Sequence, residues 1–187
     1  RSTIADAWGY LLDPVHEERV ECILKAIPEN TLGTILEVGC AEGFVTRRLS
    51  SRATEVVACD ISDEAIRRAR LFCDGLTNLQ FHCLDIRKEI PGHDLKLCLI
   101  SDVIYYLSNG EISKFATELA KRMNPSGLLV LANEWNDNYC TLTHPKAAIE
   151  IITDTRQWHQ VFVEQKQQGG SAHLWIAVFR MCSSPHR

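Results

Sequence analysis

Residues 34–43 read TILEVGCAEG, and this stretch decides the fold. A short apolar run, Thr34–Val38, ends at a glycine, and a second glycine follows four residues later. Apolar residues then recur at helical spacing, at Phe44, Val45 and Leu49. The pattern predicts a strand, a tight turn and a helix, which together begin a parallel βα unit.

The βα unit repeats along the chain. Four further apolar segments predict strands, at Val56–Cys59, Leu79–Cys83, Leu97–Ile100 and Leu128–Leu131. Asp13 and Pro14 open an amphipathic helix before the first strand, and Ser62 predicts the N-cap of the helix after the second. Another helix, stopped by Asn124–Gly127, is predicted by the spacing of Ile112, Phe115, Ala116, Leu119 and Met123.

The last part of the chain departs from this alternation. Val161–Val163 and Leu174–Phe179 flank Gly169-Gly170 with no room for a helix, which predicts a hairpin and hence one antiparallel strand. We expect an α/β fold with a doubly wound, Rossmann-like sheet of about seven strands, mostly parallel, with an antiparallel C-terminal hairpin. We expect one domain over residues 1–187, with residues 1–30 a helical lid and residues 31–187 the core.

Composition narrows the class of protein. A chain of 187 residues, 45% hydrophobic and 24% charged, suits one globular domain and has no tract of 18 apolar residues to span a bilayer. The net charge of -4 and the scattered basic residues argue against a nucleic-acid partner. The eight cysteines show no CxxC spacing, so we expect buried thiols in a reducing, cytoplasmic compartment, with neither disulfides nor a metal.

The turn at residues 39–43 is the first candidate site. Its two glycines let the chain turn sharply off the strand and let the next helix begin close to the sheet, so that backbone amides can approach a ligand. A dinucleotide-binding loop has the spacing Gly-x-Gly-x-x-Gly, and this turn lacks it. The two glycines can also have no ligand-binding role, since any βα turn can carry them. The turn resembles the first motif of S-adenosylmethionine-dependent methyltransferases, an acidic residue followed by Gly-x-Gly-x-Gly, with Ala41 at the middle glycine. The residues that this resemblance assigns to the donor are Glu37, Gly39, Cys40, Ala41 and Gly43.

Carboxylates at the next two strand ends support the donor hypothesis. Asp60 lies 21 positions after Gly39, where a carboxylate can accept both ribose hydroxyls, and Ile61 can pack on adenine. Asp85 is placed to accept the adenine amino group, and the Ile86 amide to bind a ring nitrogen. Each aspartate alone is more often a helix cap or a loop residue. Glu37, Asp60 and Asp85 together place acidic residues at three successive strand ends, which is less likely to arise by chance than either aspartate alone.

Other residues complete the predicted donor site. Ser101, just after the fourth strand, is expected beside the methionine end of the donor. Tyr10, with Trp8 and Gly9, can fold over the donor as a lid, and Arg19 can reach its carboxylate. Core packing or surface exposure explains the last four residues equally well.

A more specific resemblance covers most of the chain. The segments Asp13-Pro14, Glu18-Arg19, Ile35–Ala41 and Asp102–Leu107 together resemble the nodulation N-methyltransferase (NodS-like) family of class I methyltransferases, and the likeness continues through His144 to the last strand. It implies S-adenosylmethionine as the donor, S-adenosylhomocysteine as the product, and the free amine of a chito-oligosaccharide sugar as the acceptor. The family usually has Glu at position 102, and residues 134–143 show little kinship, so the resemblance supports the donor better than the acceptor.

Catalytic candidates follow from the same segments. Methyl transfer from an activated donor requires mainly alignment and exclusion of water. Asp102 and His144 are the candidates for orienting an unprotonated amine and receiving a proton, with Tyr105 and Tyr106 shaping the wall. Equally, Asp102 can close a turn, His144 can cap the helix opened by Pro145, and both tyrosines can be core residues.

The leading hypothesis is methyl transfer to an amine of a small molecule, an amino sugar or glycan, with Asn133 and Glu134 as further acceptor contacts. An O-methyltransferase of natural-product biosynthesis needs a stronger base, because a hydroxyl holds its proton more tightly. A non-catalytic donor-binding domain is the alternative from another class. The missing basic surface disfavours an RNA methyltransferase, and the lack of a lysine four residues after Tyr105 or Tyr106 disfavours a nicotinamide oxidoreductase. The sequence leaves the oligomeric state open.

Overall fold

A computed structural model gives the structure of the chain and describes residues 14–29, 31, 33–136, 141–169 and 172–182. The helices in these residues are α1 (Pro14–Lys25), α2 (Phe44–Leu49), α3 (Asp63–Phe72), α4 (Asn109–Ala120) and α5 (Pro145–Asp154). The strands are β1 (Thr34–Val38), β2 (Glu55–Asp60), β3 (Leu79–Cys83), β4 (Leu95–Ser101), β5 (Met123–Trp135), β6 (Trp158–Gly169) and β7 (Ala172–Met181). Short 3₁₀ turns follow α2 and β4, at Ser50–Arg52 and Ile104–Tyr106.

The seven strands form one sheet in the order β3-β2-β1-β4-β5-β7-β6. β1 pairs in parallel with β2 and β4, and the β2–β3 and β4–β5 pairs are also parallel. β7 lies between β5 and β6 and is antiparallel to both. The predicted α/β class, the seven strands and the antiparallel hairpin are therefore confirmed.

The strand order places a crevice beside β1. From β1 the chain moves outward through β2 and β3, then crosses back to β4 on the other side of β1. Open α/β sheets bind ligands at such a switch point, outside the carboxyl ends of the strands. The TILEVGCAEG segment ends at this point.

Helices cover both faces of the sheet. On one face, α4 and α5 pack through Phe115 and Ile149 onto the largest buried cluster. On the other face, α1 and α2 contribute Ile23 and Leu49 to a second cluster. Strands buried on both sides suit the continuous apolar runs seen in the sequence. None of the helices in the described part of the chain is long and apolar enough to cross a membrane.

The helix boundaries are mostly as the sequence indicates, with one correction. Ser62 caps α3 by accepting a hydrogen bond from the Ala65 amide at 3.2 Å, as predicted. The helix predicted to reach Met123 instead ends at Ala120, and Met123 pairs with Leu95 in the sheet. The expected helix stop, residues 124–127, lies within β5 at a register shift, so this part of the prediction was wrong. The apolar side chain at Met123 suits a buried strand end as well as a helix face, and periodicity alone does not separate the two.

Candidate active site

The loop after β1 has a left-handed backbone at three residues. Gly39, Ala41 and Gly43 have φ angles of 80°, 45° and 86°. A Cβ on Gly39 would lie 2.3 Å from a methyl carbon of Val103 and 2.7 Å from the Ser101 carbonyl oxygen. Glycine is therefore required at position 39 both by conformation and by space. Ala41 adopts the left-handed conformation although it carries a side chain, at some cost in strain.

Glu37 lies at the base of this loop with its side chain fully enclosed. It is 1% exposed, and the Thr46 hydroxyl donates a 2.5 Å hydrogen bond to its Oε2. Burial raises the pKa of Glu37 to about 8, the Thr46 hydrogen bond opposes the rise, and the Asp60 carboxylate adds to it. Glu37 therefore holds a proton at neutral pH unless a cation is brought beside it.

The thiol of Cys40 lies in the same loop and is protonated at neutral pH. Cys40 is 4% exposed, and burial raises its pKa far above the ordinary range for a thiol. Burial likewise raises the pKa of Cys59, in β2, to about 12. Both thiols therefore remain protonated at neutral pH, and because only the thiolate is a strong nucleophile, neither is reactive.

Asp60 ties the end of β2 to the loop. Its Oδ2 accepts a 3.0 Å hydrogen bond from the Ala41 amide, and its Oδ1 accepts one of 2.9 Å from the Ser62 amide. The carboxylate thus fixes the conformation of the loop at Ala41. Ile61, the next residue, is 67% exposed, which leaves a large apolar side chain open to a ligand at this strand end.

Asp85 forms an ion pair that the sequence analysis missed. The Arg87 amide and Nε donate to its Oδ1 at 3.0 and 2.8 Å, and the Arg87 guanidinium donates to its Oδ2 at 2.8 Å. Arg87 lowers the pKa of Asp85 to about 2, so the carboxylate is ionised at neutral pH. Ile86, between them, is 9% exposed. The Asp-x-Arg spacing was the available signal for this pair.

Arg19 joins α1 to the end of β4. Its side chain is 4% exposed, donates a 3.0 Å hydrogen bond to the Ser101 hydroxyl and forms an ion pair with Asp102. The Arg19 Nε is buried and has no hydrogen-bond partner among the described residues. Arg19 and Ser101 line a crevice together with Glu37, Gly39, Cys40, Ala41, Glu42, Phe44 and Val45. The structure therefore brings six of the predicted donor residues to one crevice.

Asp102 is held at both carboxylate oxygens. Its Oδ1 accepts a 2.7 Å hydrogen bond from the Glu134 amide, and its Oδ2 contacts Arg19. The backbone is left-handed, with φ 53°, and the Asp102 amide donates to the Ala132 carbonyl at 2.9 Å. Burial raises the pKa of Asp102, and Arg19 and the Glu134 amide oppose the rise. Asp102 therefore closes the turn after β4 and also presents a carboxylate at the edge between β4 and β5.

His144 caps α5. Its Nδ1 accepts a 3.0 Å hydrogen bond from the Lys146 amide. The proton of the neutral ring then lies on Nε2, which can donate a hydrogen bond but has no lone pair for a proton. The ring stands edge-on to Trp135 and Trp175, with centroid distances of 4.6 and 5.5 Å. Capping, one of the two interpretations of His144, is thus observed, and its catalytic role remains a prediction.

The two tyrosines of the 3₁₀ turn differ in exposure. Tyr105 is 8% exposed and Tyr106 is 60% exposed, with ring centroids 4.6 Å apart. Burial raises the pKa of Tyr105, so its phenol stays protonated and is suited to donating a hydrogen bond. Tyr10, Trp8 and Gly9, the predicted lid, lie outside the described residues.

Comparison with known proteins identifies the family of this chain. The methyltransferase domain family matches residues 35–127, from β1 into β5. The chain belongs to the class I S-adenosylmethionine-dependent methyltransferases. Nodulation protein S of Rhizobium tropici is 24% identical to this methyltransferase over 154 residues, which are 80% of this chain and 65% of that protein. The chain thus spans slightly less than two thirds of the length of that relative.

Two further proteins are similar to this chain. The crystal structure of the N-methyltransferase NodS from Bradyrhizobium japonicum WM9, in complex with S-adenosylhomocysteine, superposes with a TM-score of 0.82. It is 22% identical, and the match covers 95% of this chain and 94% of that one. Phosphoethanolamine N-methyltransferase 3 of Arabidopsis thaliana is 30% identical over 110 residues, 57% of this chain and 21% of that protein. The fold of this methyltransferase is therefore that of NodS.

The crevice fits S-adenosylmethionine, the donor of this family. The buried Arg19 Nε offers an N–H to a carboxylate, and Glu37 offers a carboxyl to a cationic group. The missing side chain at Gly39 lets Val103 and the Ser101 carbonyl pack against the loop, which keeps the loop close to the end of β4. In the described part of the chain, no group of three or more His, Cys, Asp and Glu side chains is arranged to hold a metal.

Proposed function

We propose that this methyltransferase acts on the amine of a small molecule, and that the acceptor is an amino sugar or a related glycan. Similarity to nodulation protein S over 80% of the chain supports an N-methyltransferase, because the NodS structure is that of an N-methyltransferase. The residues around the end of β4 support an amine on chemical grounds.

The main observation that supports an amine acceptor is that the edge between β4 and β5 is acidic. Asp102 and Glu134 lie together there, linked by the 2.7 Å hydrogen bond from the Glu134 amide to Asp102. The carboxyl groups of Asp102 and Glu134 interact with each other and, among the residues that the structure describes, outnumber the one guanidinium beside them, that of Arg19. This edge therefore attracts an ammonium ion and disfavours a phosphate or a phenolate. Because burial raises the pKa of Asp102, this carboxylate is also a better proton acceptor than an exposed one.

Methyl transfer to an amine requires a weaker base than methyl transfer to a hydroxyl. An ammonium must lose one proton before its nitrogen can attack, and a carboxylate or water can take it. An alcohol holds its proton much more tightly and needs a stronger base. At this edge His144 Nδ1 is engaged by the Lys146 amide and the Tyr105 phenol is protonated, so neither provides that base.

Each residue then has a defined task. The bound donor supplies a methyl group on a sulfonium centre. Arg19 binds the donor carboxylate through Nε and, through its ion pair, fixes Asp102. Asp102 orients the amine and receives its proton. Tyr105 forms part of the wall, and its burial helps to exclude water from the acceptor.

The test is methyl transfer from labelled S-adenosylmethionine to matched acceptors. We expect label in de-N-acetylated chitobiose and none in fully N-acetylated chitobiose or in catechol. Absence of label from every amine tested, or label in catechol alone, would refute the proposal. Donor binding without any transfer would identify a non-catalytic donor-binding domain.

A matched pair of variants tests the role of the acidic edge. Asp102→Asn retains an oxygen for the Glu134 amide but removes the charge, so kcat/KM for the amine should fall by about 100-fold or more. Asp74→Asn, at an exposed carboxylate after α3, is the control and should leave kcat/KM unchanged. Equal activity of the two variants would exclude Asp102 from proton transfer and orientation.

A reducing, cytoplasmic location is part of this proposal. The seven cysteines in the described residues are all free thiols, and five of them are buried or half-buried. Such thiols are typical of proteins in a reducing compartment. A small-molecule acceptor, rather than nucleic acid, agrees with the net charge of -4.

A further inference from the structure

Two polar groups lie buried and unbonded on facing strands beside the proposed acceptor edge. Asn133 of β5 and Trp175 of β7 are direct partners in the antiparallel register, so their side chains project from the same face of the sheet. Asn133 is 1% exposed. Within the described residues, neither the Asn133 Oδ1 nor the Trp175 Nε1 has a hydrogen-bond partner, and both atoms are buried.

These two groups are fixed in place. The Trp175 ring stands edge-on to His144, which in turn stands edge-on to Trp135 two residues after Asn133. The His144 ring is itself held by its hydrogen bond to the Lys146 amide. The indole N–H of Trp175 is therefore held in place by packing before any ligand binds, and the strand register places it opposite Asn133.

The pair adjoins the acidic edge but is chemically different from it. Asn133 directly precedes Glu134, whose amide contacts Asp102, so both positions lie at the carboxyl end of β5. Asn133 and Trp175 are uncharged, their free polar atoms are buried, and the Trp175 ring packs on His144, which makes this position unfavourable for an ammonium ion. A hydroxyl group suits it, because one hydroxyl can donate to Oδ1 and accept from Nε1 at the same time.

We propose that Asn133 and Trp175 form a subsite that binds a neutral hydroxyl group of the acceptor, at a distance from its reacting amine. This inference rests on the proposed function for the identity of the reacting group. It divides acceptor recognition between two chemistries, with the charged amine at Asp102 and an uncharged hydroxyl at Asn133 and Trp175. The acceptor is then a hydroxylated amine, and an amine without a hydroxyl binds poorly.

Binding can be measured without turnover, by following the indole N–H resonance of Trp175 by NMR in the presence of S-adenosylhomocysteine. Trp175→Phe assigns the resonance. Titration with de-N-acetylated chitobiose should shift it, and titration with cyclohexylamine, an amine without hydroxyls, should not. Asn133→Leu should weaken binding of the disaccharide by about tenfold or more and leave binding of S-adenosylhomocysteine within about twofold.

A second tryptophan provides the control. The indole N–H of Trp158 is already bonded to the Ala116 carbonyl oxygen at 2.9 Å, on the same face of the sheet. Trp158→Phe should lower the thermal midpoint and leave the affinity for the disaccharide unchanged, whereas Trp175→Phe should weaken it. In turnover assays Trp175→Phe should raise KM more than it lowers kcat.

The outcomes separate this inference from the proposed function. If labelled methyl reaches the disaccharide but Asn133→Leu leaves its KM unchanged, the subsite is wrong and the function stands. If the Trp175 resonance shifts with the disaccharide while no amine is methylated, the function is wrong and the subsite stands. If neither amine moves the resonance, the two side chains enclose only water, and the subsite is refuted whatever the activity.

Discussion

The proton on Glu37 makes the stability of the ligand-free protein depend on pH. Burial raises the pKa of Glu37 from 4.5 to about 8. Between these values the folded protein holds a proton that the unfolded chain has lost, so the free energy of unfolding falls as the pH rises. The contribution is fully present below pH 4.5 and is lost once the pH passes 8. One proton corresponds to about 1.4 kcal/mol per pH unit in the middle of this window.

Glu37→Gln removes this titration while keeping an oxygen for the Thr46 hydroxyl. From pH 5.5 to 7.5 we expect the wild type to lose about 2 to 3 kcal/mol relative to the variant, allowing for partial titration near the upper pKa. Urea unfolding of both proteins at pH 5.5, 6.5 and 7.5 measures the difference, in which titration of the other groups cancels. Parallel curves would show that Glu37 is ionised in the folded protein, and the account of its burial would be incorrect.

Three further variants test the donor site and the framework around it. Asp60→Ala frees the Ala41 amide and removes a carboxylate from the end of β2, so calorimetry should show S-adenosylhomocysteine binding weakened by about 1 to 3 kcal/mol. Gly39→Ala places a Cβ 2.7 Å from the Ser101 carbonyl and should abolish measurable binding, whereas Gly110→Ala, with open space around it, should bind normally and raise the thermal midpoint slightly. Ser108→Ala breaks the capping box of α4 and should lower the free energy of unfolding by about 1 kcal/mol without changing the affinity; a loss of affinity would link α4 to the crevice.

Local patterns were enough to predict the sheet. Each parallel strand of this protein is a short apolar run followed by turn residues, and the chain order of βα units restricts the topology through the handedness of the crossovers. The donor loop was predictable for a similar reason, because Gly39 and Gly43 are demanded by backbone conformation. The end of α4 was not, since Met123 satisfies the apolar spacing of a helix while pairing with Leu95 in the sheet.

Contacts between residues far apart in the sequence limited how much of the functional site could be predicted. The Arg19–Asp102 pair joins residues 83 positions apart, and only the packing of α1 on the sheet brings them together. Arg19 was predicted for the donor alone, so its second contact was not foreseen. Similarly, Trp175 was identified only as a strand residue, because its importance depends on the register between β7 and β5. Sequence spacing carries no information about which residues face each other across two strands.

The reversed direction of β7 has a consequence for how acceptor preference can diverge. Since β7 runs against β5, its opening residues lie beside the closing residues of β5, with His173 opposite Trp135. A segment from the far end of the chain thereby lies beside the carboxyl end of β5, next to the proposed acceptor edge, while residues 35–101 supply the loop after β1 and the carboxylates at the strand ends. Under the proposed function, substitutions in the hairpin would change which acceptor is methylated and leave the binding of S-adenosylmethionine unchanged.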